Sequence, residues 1–151
     1  MPHQQQQEED EQSDIFTEKG NRRSSTPTAS QFRAGNDTTV KLIRTKEYSN
    51  VNKIADRDHL TDENWHEWKD RMKVVSTNCD ITGYVTGAIT RPNESDDPVG
   101  AYNWDKNDCW AQQVIIHNVT SSQMNHVGSK TSAKDMYSAL SVTHVTYRNT
   151  S

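Results

Sequence analysis

The sequence predicts an all-α protein, a small bundle of about four short helices that follows a disordered N-terminal arm. Four tryptophans, Trp65, Trp68, Trp104 and Trp110, lie at helical spacings in an otherwise polar part of the chain. Only 30 % of the 151 residues are hydrophobic and the mean hydropathy is -1.04, so part of the chain has too little apolar surface to fold. Residues that favour helix N-termini precede the apolar segments.

Residues 1–57 are predicted to form the disordered arm. Residues 4–7 are consecutive glutamines, and residues 24–30 have the composition of a flexible linker. Five acids and no base lie in residues 1–14, whereas nine bases and four acids lie in residues 15–57. The apolar side chains of residues 40–54 suffice for one marginal strand or helical turn but not for a core.

A folded domain is predicted over residues 58–147, and its first helix begins near Leu60 with Thr61 as the N-cap. Asn78 is the expected end of this helix, and a short second element at residues 80–85 is closed by Gly87. The first helix has one apolar face, which comprises Trp65, Trp68, Met72 and Val75.

A loop is predicted from Thr90 to Ala101, because this stretch contains two prolines, a glycine and three acids. A third helix is expected to start at residues 103–105, a brief turn at residues 121–122 and a fourth helix at residues 131–132. The β-branched residues 142–146 predict that the fourth helix frays past Leu140 or leans on a surface that the chain lacks. Residues 148–151 are assigned to a tail.

The large apolar side chains of these helices are predicted to share one core. The Trp-x-x-Trp pattern could instead stack on nucleic-acid bases, but its helical register with further apolar residues favours a core. The predicted core anchors are Trp65, Trp68, Met72, Trp104, Trp110, Val114, Ile115, Met136, Tyr137 and Leu140.

The sequence contains no motif typical of catalysis, and it predicts a non-enzymatic protein with no cofactor and no metal. His66 and Glu67 resemble the start of a metalloprotease helix, but Asp70 lies where the second histidine would be. The six histidines and two cysteines lack zinc-finger spacing. Three acids of the predicted loop, at positions 94, 96 and 97, favour a solvated turn over an acid–base pair.

Two further sequence patterns bear on the cellular compartment of the protein. The chain has no apolar run near the roughly 18 residues of a membrane span and no signal-peptide pattern. We therefore expect a cytoplasmic or nuclear protein without a membrane partner. In a reducing compartment, Cys79 and Cys109 are expected to remain free thiols.

The basic part of the arm supports an alternative function, nucleic-acid binding through residues 19–57. These bases are scattered and form no arginine-rich cluster, so a solvated linker is supported equally well. The expected nucleic-acid contacts are Arg22, Arg23, Arg33, Lys41, Arg44 and Lys46.

Four motifs occur in a fixed order along residues 58–147. The first is Leu60-x-x-x-Asn64-Trp65-x-x-Trp68-x-x-x-Met72, and the second spans Gly83 to Pro92; Trp104-x-x-x-Asp108-x-x-Ala111 and the stretch from Thr131 to Leu140 follow. Together they resemble the N-terminal, capsid-like region of the Gag polyprotein of Ty1/copia-type LTR retrotransposons. Asp62, Tyr84 and Tyr137 depart from that family's pattern, which often has Gly at the first position and Trp at the other two.

The resemblance implies a structural role: a capsid module that self-associates and whose ancestral cargo is nucleic acid. The family's Gag continues into further capsid helices and a zinc knuckle that grips RNA, and this sequence contains neither. We therefore expect a homo-oligomeric Gag-like module with weak RNA binding, derived as a fragment or relic of a transposable element.

Overall fold

The computed structural model describes residues 26–34, 38–44 and 53–149. Within these residues the chain forms six α-helices and no β-strand, which confirms the predicted all-α class. The helices are α1 (Ala29–Ala34), α2 (Trp65–Asn78), α3 (Thr82–Thr86), α4 (Pro98–Ile116), α5 (Met124–Val127) and α6 (Ala133–Asn149). None of them combines the length and the apolar character that a membrane span requires.

Helix α2 begins at Trp65 with Asn64 in the N-cap position, so the assignment of Thr61 as N-cap is wrong. The Thr61 amide donates a hydrogen bond to Asn64 Oδ1 at 2.8 Å, and the Asn64 carboxamide in turn donates to the backbone oxygen of His59 at 2.9 Å. These bonds hold residues 59–64 in a turn, and α2 starts where the turn ends. The predicted apolar face is the buried face of the helix.

The end of α2 has the hydrogen bonds of a Schellman motif. The Ile81 amide donates to the Ser76 oxygen at 3.0 Å, and the Asp80 amide donates to the Thr77 oxygen at 3.2 Å. Asp80 takes a left-handed conformation, with φ of 59°. Gly87 ends α3 in the same region, with φ of 81°, where glycine has no Cβ penalty.

Helix α4 begins at Pro98, so the predicted loop ends earlier than expected and the third helix is longer. Asp97 Oδ1 accepts a hydrogen bond from the Gly100 amide at 2.9 Å, and Pro98 takes the first helical position. Proline is favoured there because the first helical amides have no partner within the helix. Sequence patterns had assigned this proline to the loop, since proline more often breaks a helix.

Helix α6 continues through residue 149, so the expected fraying after Leu140 is wrong. His144 is buried and lies parallel to the Trp65 ring, with ring centroids 5.2 Å apart. This packing, which low helix propensity cannot predict, stabilises the last turns. The β-branched Val142 and Val145 project from the exposed face.

The core lies where α2, α3, α4 and α6 meet. Two segments that precede Leu60 also contribute to it: Ile54 is a member of the apolar cluster, and Ile43 packs against its edge. The ordered unit thus includes residues N-terminal to the predicted range of 58–147, and most of the predicted arm lies outside the described residues.

Candidate functional site

The predicted core anchors converge on one apolar cluster. Trp104 and Tyr137 are half-buried and pack against its edge. Tyr137 lies within 6.4 Å of the Trp68 ring and 5.9 Å of the Trp65 ring, centroid to centroid. The other eight anchors are buried within the cluster: Trp65, Trp68, Met72, Trp110, Val114, Ile115, Met136 and Leu140.

Trp68 is joined to the end of α4 by a polar contact. Its indole Nε1 donates to the backbone oxygen of Asn118 at 2.7 Å, and the ring is fully buried. The Asn118 side chain accepts from the Ile54 amide and donates to the Val114 oxygen, each at 2.7 Å. Asn118 therefore joins three segments of the chain inside the core.

Asp108 joins α4 to the start of α6. This buried carboxylate accepts from the Ala133 amide through Oδ1 at 3.1 Å and from Gln112 Nε2 through Oδ2 at 2.8 Å. Ser132 Oγ accepts from the Asp135 amide at 3.1 Å. Both acceptors satisfy amides that have no partner within α6, and the negative charge also faces the positive end of the helix dipole.

Two asparagines of α4 hold residues 38–44 against the helix. Asn103 Nδ2 donates to the Val40 oxygen at 2.9 Å, and Asn107 Nδ2 donates to the Lys41 oxygen at 2.8 Å. Asn107 Oδ1 accepts from the Ile43 amide at 2.9 Å. Asn107 also donates to the Tyr84 hydroxyl at 2.7 Å.

The pKa of Tyr84 is changed in opposite directions by its burial and by its hydrogen bond with Asn107. Burial raises the pKa of this phenol above its ordinary value, the hydrogen bond from Asn107 lowers it, and the charge of Asp108 raises it. The net shift is upward, so Tyr84 stays a neutral hydroxyl at physiological pH and serves as a structural partner.

A second polar network lies near the start of α2. Gln123 is fully buried, and its Nε2 donates to Asp62 Oδ1 at 2.9 Å. His144 Nε2 lies 2.9 Å from Gln123 Oε1. Burial lowers the pKa of His144 from its ordinary value, the charge of Asp62 raises it, and His126 lowers it. Burial is the largest of these effects, so His144 favours its neutral form.

A groove of about 400 Å³ opens between α2, α3 and α6. Met72 and Val85 form its floor together with Tyr137, and Lys69, Asp70 and Lys73 lie along one side. Burial and the charge of Asp70 raise the pKa of Tyr137.

Two of the six expected nucleic-acid contacts lie among the residues whose side chains are described. The side chains of Lys41 and Arg44 are exposed on the segment held by Asn103 and Asn107. The other four lie outside the residues whose side chains are described: Arg22, Arg23, Arg33 and Lys46. Binding of RNA through the arm stays a prediction.

The described residues contain no group of three or more His, Cys, Asp or Glu side chains placed to hold a metal ion. Cys79 is buried, Cys109 is half-buried, and neither forms a disulfide. Three polar residues that organise the structure were missed by sequence reasoning: Asn103, Asn107 and Asn118. Their only signal is a helical spacing of four on the apolar side of α4, which is visible for the first two alone.

Comparison with protein-family models, with curated proteins and with solved structures found no match to this chain.

Proposed function

We propose that this protein is a non-enzymatic, self-associating module of the Ty1/copia Gag type, descended from the capsid-like region of an LTR retrotransposon. The motifs that resemble that family support the proposal, because they are distant in sequence and adjacent in space.

The observation on which the proposal rests is the contact between Asp108 and Ala133. Asp108 is the acid of the third motif, and Ala133 begins the helix of the fourth motif. The carboxylate binds the amide that opens this helix. A buried acid at this position is therefore explained by a structural role.

The first and second motifs have structural roles of the same kind. Leu60 and Trp68 both bind residues 118–120 at the end of α4. In the second motif, Tyr84 binds Asn107, and the oxygen of Ile89 accepts from Trp104 Nε1 at 2.9 Å. The motif residues thus hold the fold together, as a structural module requires.

Self-association needs an outer surface, and α6 offers an apolar one. Val142 is 66 % exposed and Val145 is 48 % exposed, three residues apart on one helical face. A second copy that covers this face would remove both exposed valines from water. Val74 on α2 is 61 % exposed but has no apolar partner of this kind on its helix, so it provides a matched control.

Sedimentation equilibrium of the full chain over a wide concentration range tests the proposal. We expect concentration-dependent oligomers that weaken at least about tenfold in Val142→Glu/Val145→Glu, a loss of roughly 1.4 kcal/mol. Val74→Glu should leave the equilibrium unchanged. A parent chain that is monomeric at every concentration contradicts self-association, and equal weakening by both variants contradicts the choice of surface.

A further inference from the structure

The orientation of the Gln123 side chain is determined by Asp62. A carboxylate accepts hydrogen bonds and donates none, so the group of Gln123 that faces Asp62 at 2.9 Å is its amide nitrogen. The oxygen of the same carboxamide therefore faces His144. Because that oxygen can only accept, His144 Nε2 must donate the hydrogen bond measured at 2.9 Å.

This assignment places the proton of neutral His144 on Nε2 and leaves Nδ1 unprotonated. Among the described residues, no acceptor forms a hydrogen bond with Nδ1. His144 is 4 % exposed, and its ring is stacked on Trp65 with an angle of 2° between the planes. A second proton would thus add a charge and an unpartnered donor to a buried site.

The charged groups around His144 do not remove this cost. Asp62, in the turn before α2, favours the protonated ring, whereas His126 of α5 opposes it. Asp62 is exposed, so water screens its charge, and Gln123 lies between its carboxylate and the imidazole. The Trp65 face offers a cation–π contact, worth about 0.5–2 kcal/mol.

We propose that His144 is an acid-sensitive latch, and that protonation of its Nδ1 releases residues 141–149 of α6 from Trp65. The chemical step is the transfer of one proton from solvent to Nδ1, with no other bond formed or broken. The released segment is the part of α6 whose sequence has low helix propensity, so it depends on the stacked ring for its order. The latch does not depend on the function proposed above.

Hydrogen exchange of the full chain, measured by mass spectrometry between about pH 8 and about pH 5, tests the latch. After correction for intrinsic exchange, protection of residues 141–149 should fall by up to about tenfold for each pH unit below the unfolded-state pKa. Residues 110–115 of α4 provide the internal reference and should keep their protection. Parallel loss in both segments would indicate global unfolding and overturn the latch.

Two variants separate His144 from the other histidines. His144→Gln keeps a neutral donor for Gln123 and should abolish the pH dependence of protection at residues 141–149. His126→Gln keeps the latch and should retain that pH dependence. An unchanged response in His144→Gln would overturn the proposal.

A measurement on the parent chain makes the test independent of whether the variants fold. In an NMR titration, the imidazole protons of His144 and the indole proton of Trp65 should titrate together, with a midpoint below that of an exposed histidine. A Trp65 signal that stays constant while His144 titrates would overturn the proposal.

Discussion

Trp68 is the side chain whose truncation tests the core most directly. It is fully buried, its ring lies 5.7 Å from the Trp65 ring, and its indole nitrogen binds the Asn118 oxygen at 2.7 Å. Replacement by alanine removes the ring, its contacts with neighbouring aromatic rings and the hydrogen bond at once. We therefore expect Trp68→Ala to destabilise the domain more than any substitution at the surface.

The magnitude follows from the two losses. Truncation of a buried tryptophan costs about 3–5 kcal/mol, and a buried acceptor without its donor adds about 1–3 kcal/mol. The second cost falls at its lower end, because the Leu60 amide still donates to the Asn118 oxygen at 3.2 Å. Since a small domain has about 5–15 kcal/mol in total, Trp68→Ala should unfold it largely or completely.

Urea denaturation followed by circular dichroism measures this change. Trp68→Phe keeps most of the ring and loses the donor, so it should cost only about 1–3 kcal/mol. His66→Ala alters an exposed residue of the same helix and should change stability by less than about 0.5 kcal/mol. If Trp68→Ala unfolds at the urea concentration of the parent chain, the ring is not part of the core and the helical assignment is refuted.

Other predictions concern single contacts. Asp108→Ala should cost about 1–3 kcal/mol, since it leaves the Ala133 amide buried without an acceptor; an unchanged urea midpoint would contradict the role of Asp108 as a cap. Asp80 and Gly87 both have positive φ, so Asp80→Gly should stabilise the domain and Gly87→Ala should destabilise it, each by about 1 kcal/mol. Shifts of the melting temperature in the same direction for both variants would refute this. The lowered pKa of His144 predicts that its contribution to stability is complete above about pH 6.5 and declines as the pH falls towards its folded-state pKa. If the urea midpoint of His144→Gln depends on pH in the same way as that of the parent chain, this prediction is contradicted.

The helical core could be predicted because its pattern is apolar and local. Trp65, Trp68 and Met72 recur at the period of an α-helix, and burial of such a stripe is the main source of helix stability in a folded protein. The same holds for Val114 and Ile115 of α4. Helix starts were less predictable, because several residues near each start can serve as a cap.

The polar contacts between segments could not be predicted from local patterns. Asn103 and Asn107 bind residues more than 60 positions away, as the separations of their hydrogen bonds show. The sequence alone does not distinguish an asparagine that caps a turn from one that faces solvent or one that binds a distant segment of backbone. The contribution of residues 38–44 to the folded unit was missed for this reason, since these residues depend on amide partners supplied by α4.

In the last turns of helix α6, local helix propensity and tertiary packing favour different structures. These turns have the composition of a poor helix, and the structure places there the buried stack between His144 and Trp65 and the hydrogen bond between His144 and Gln123. A segment with few buried side chains opens more readily than a segment held by a continuous apolar stripe. Because the stacked side chain is a histidine, the same residue that extends the helix also makes the extension sensitive to acid. The failure of the local prediction at Leu140 therefore points to the part of the molecule where we expect the first conformational change.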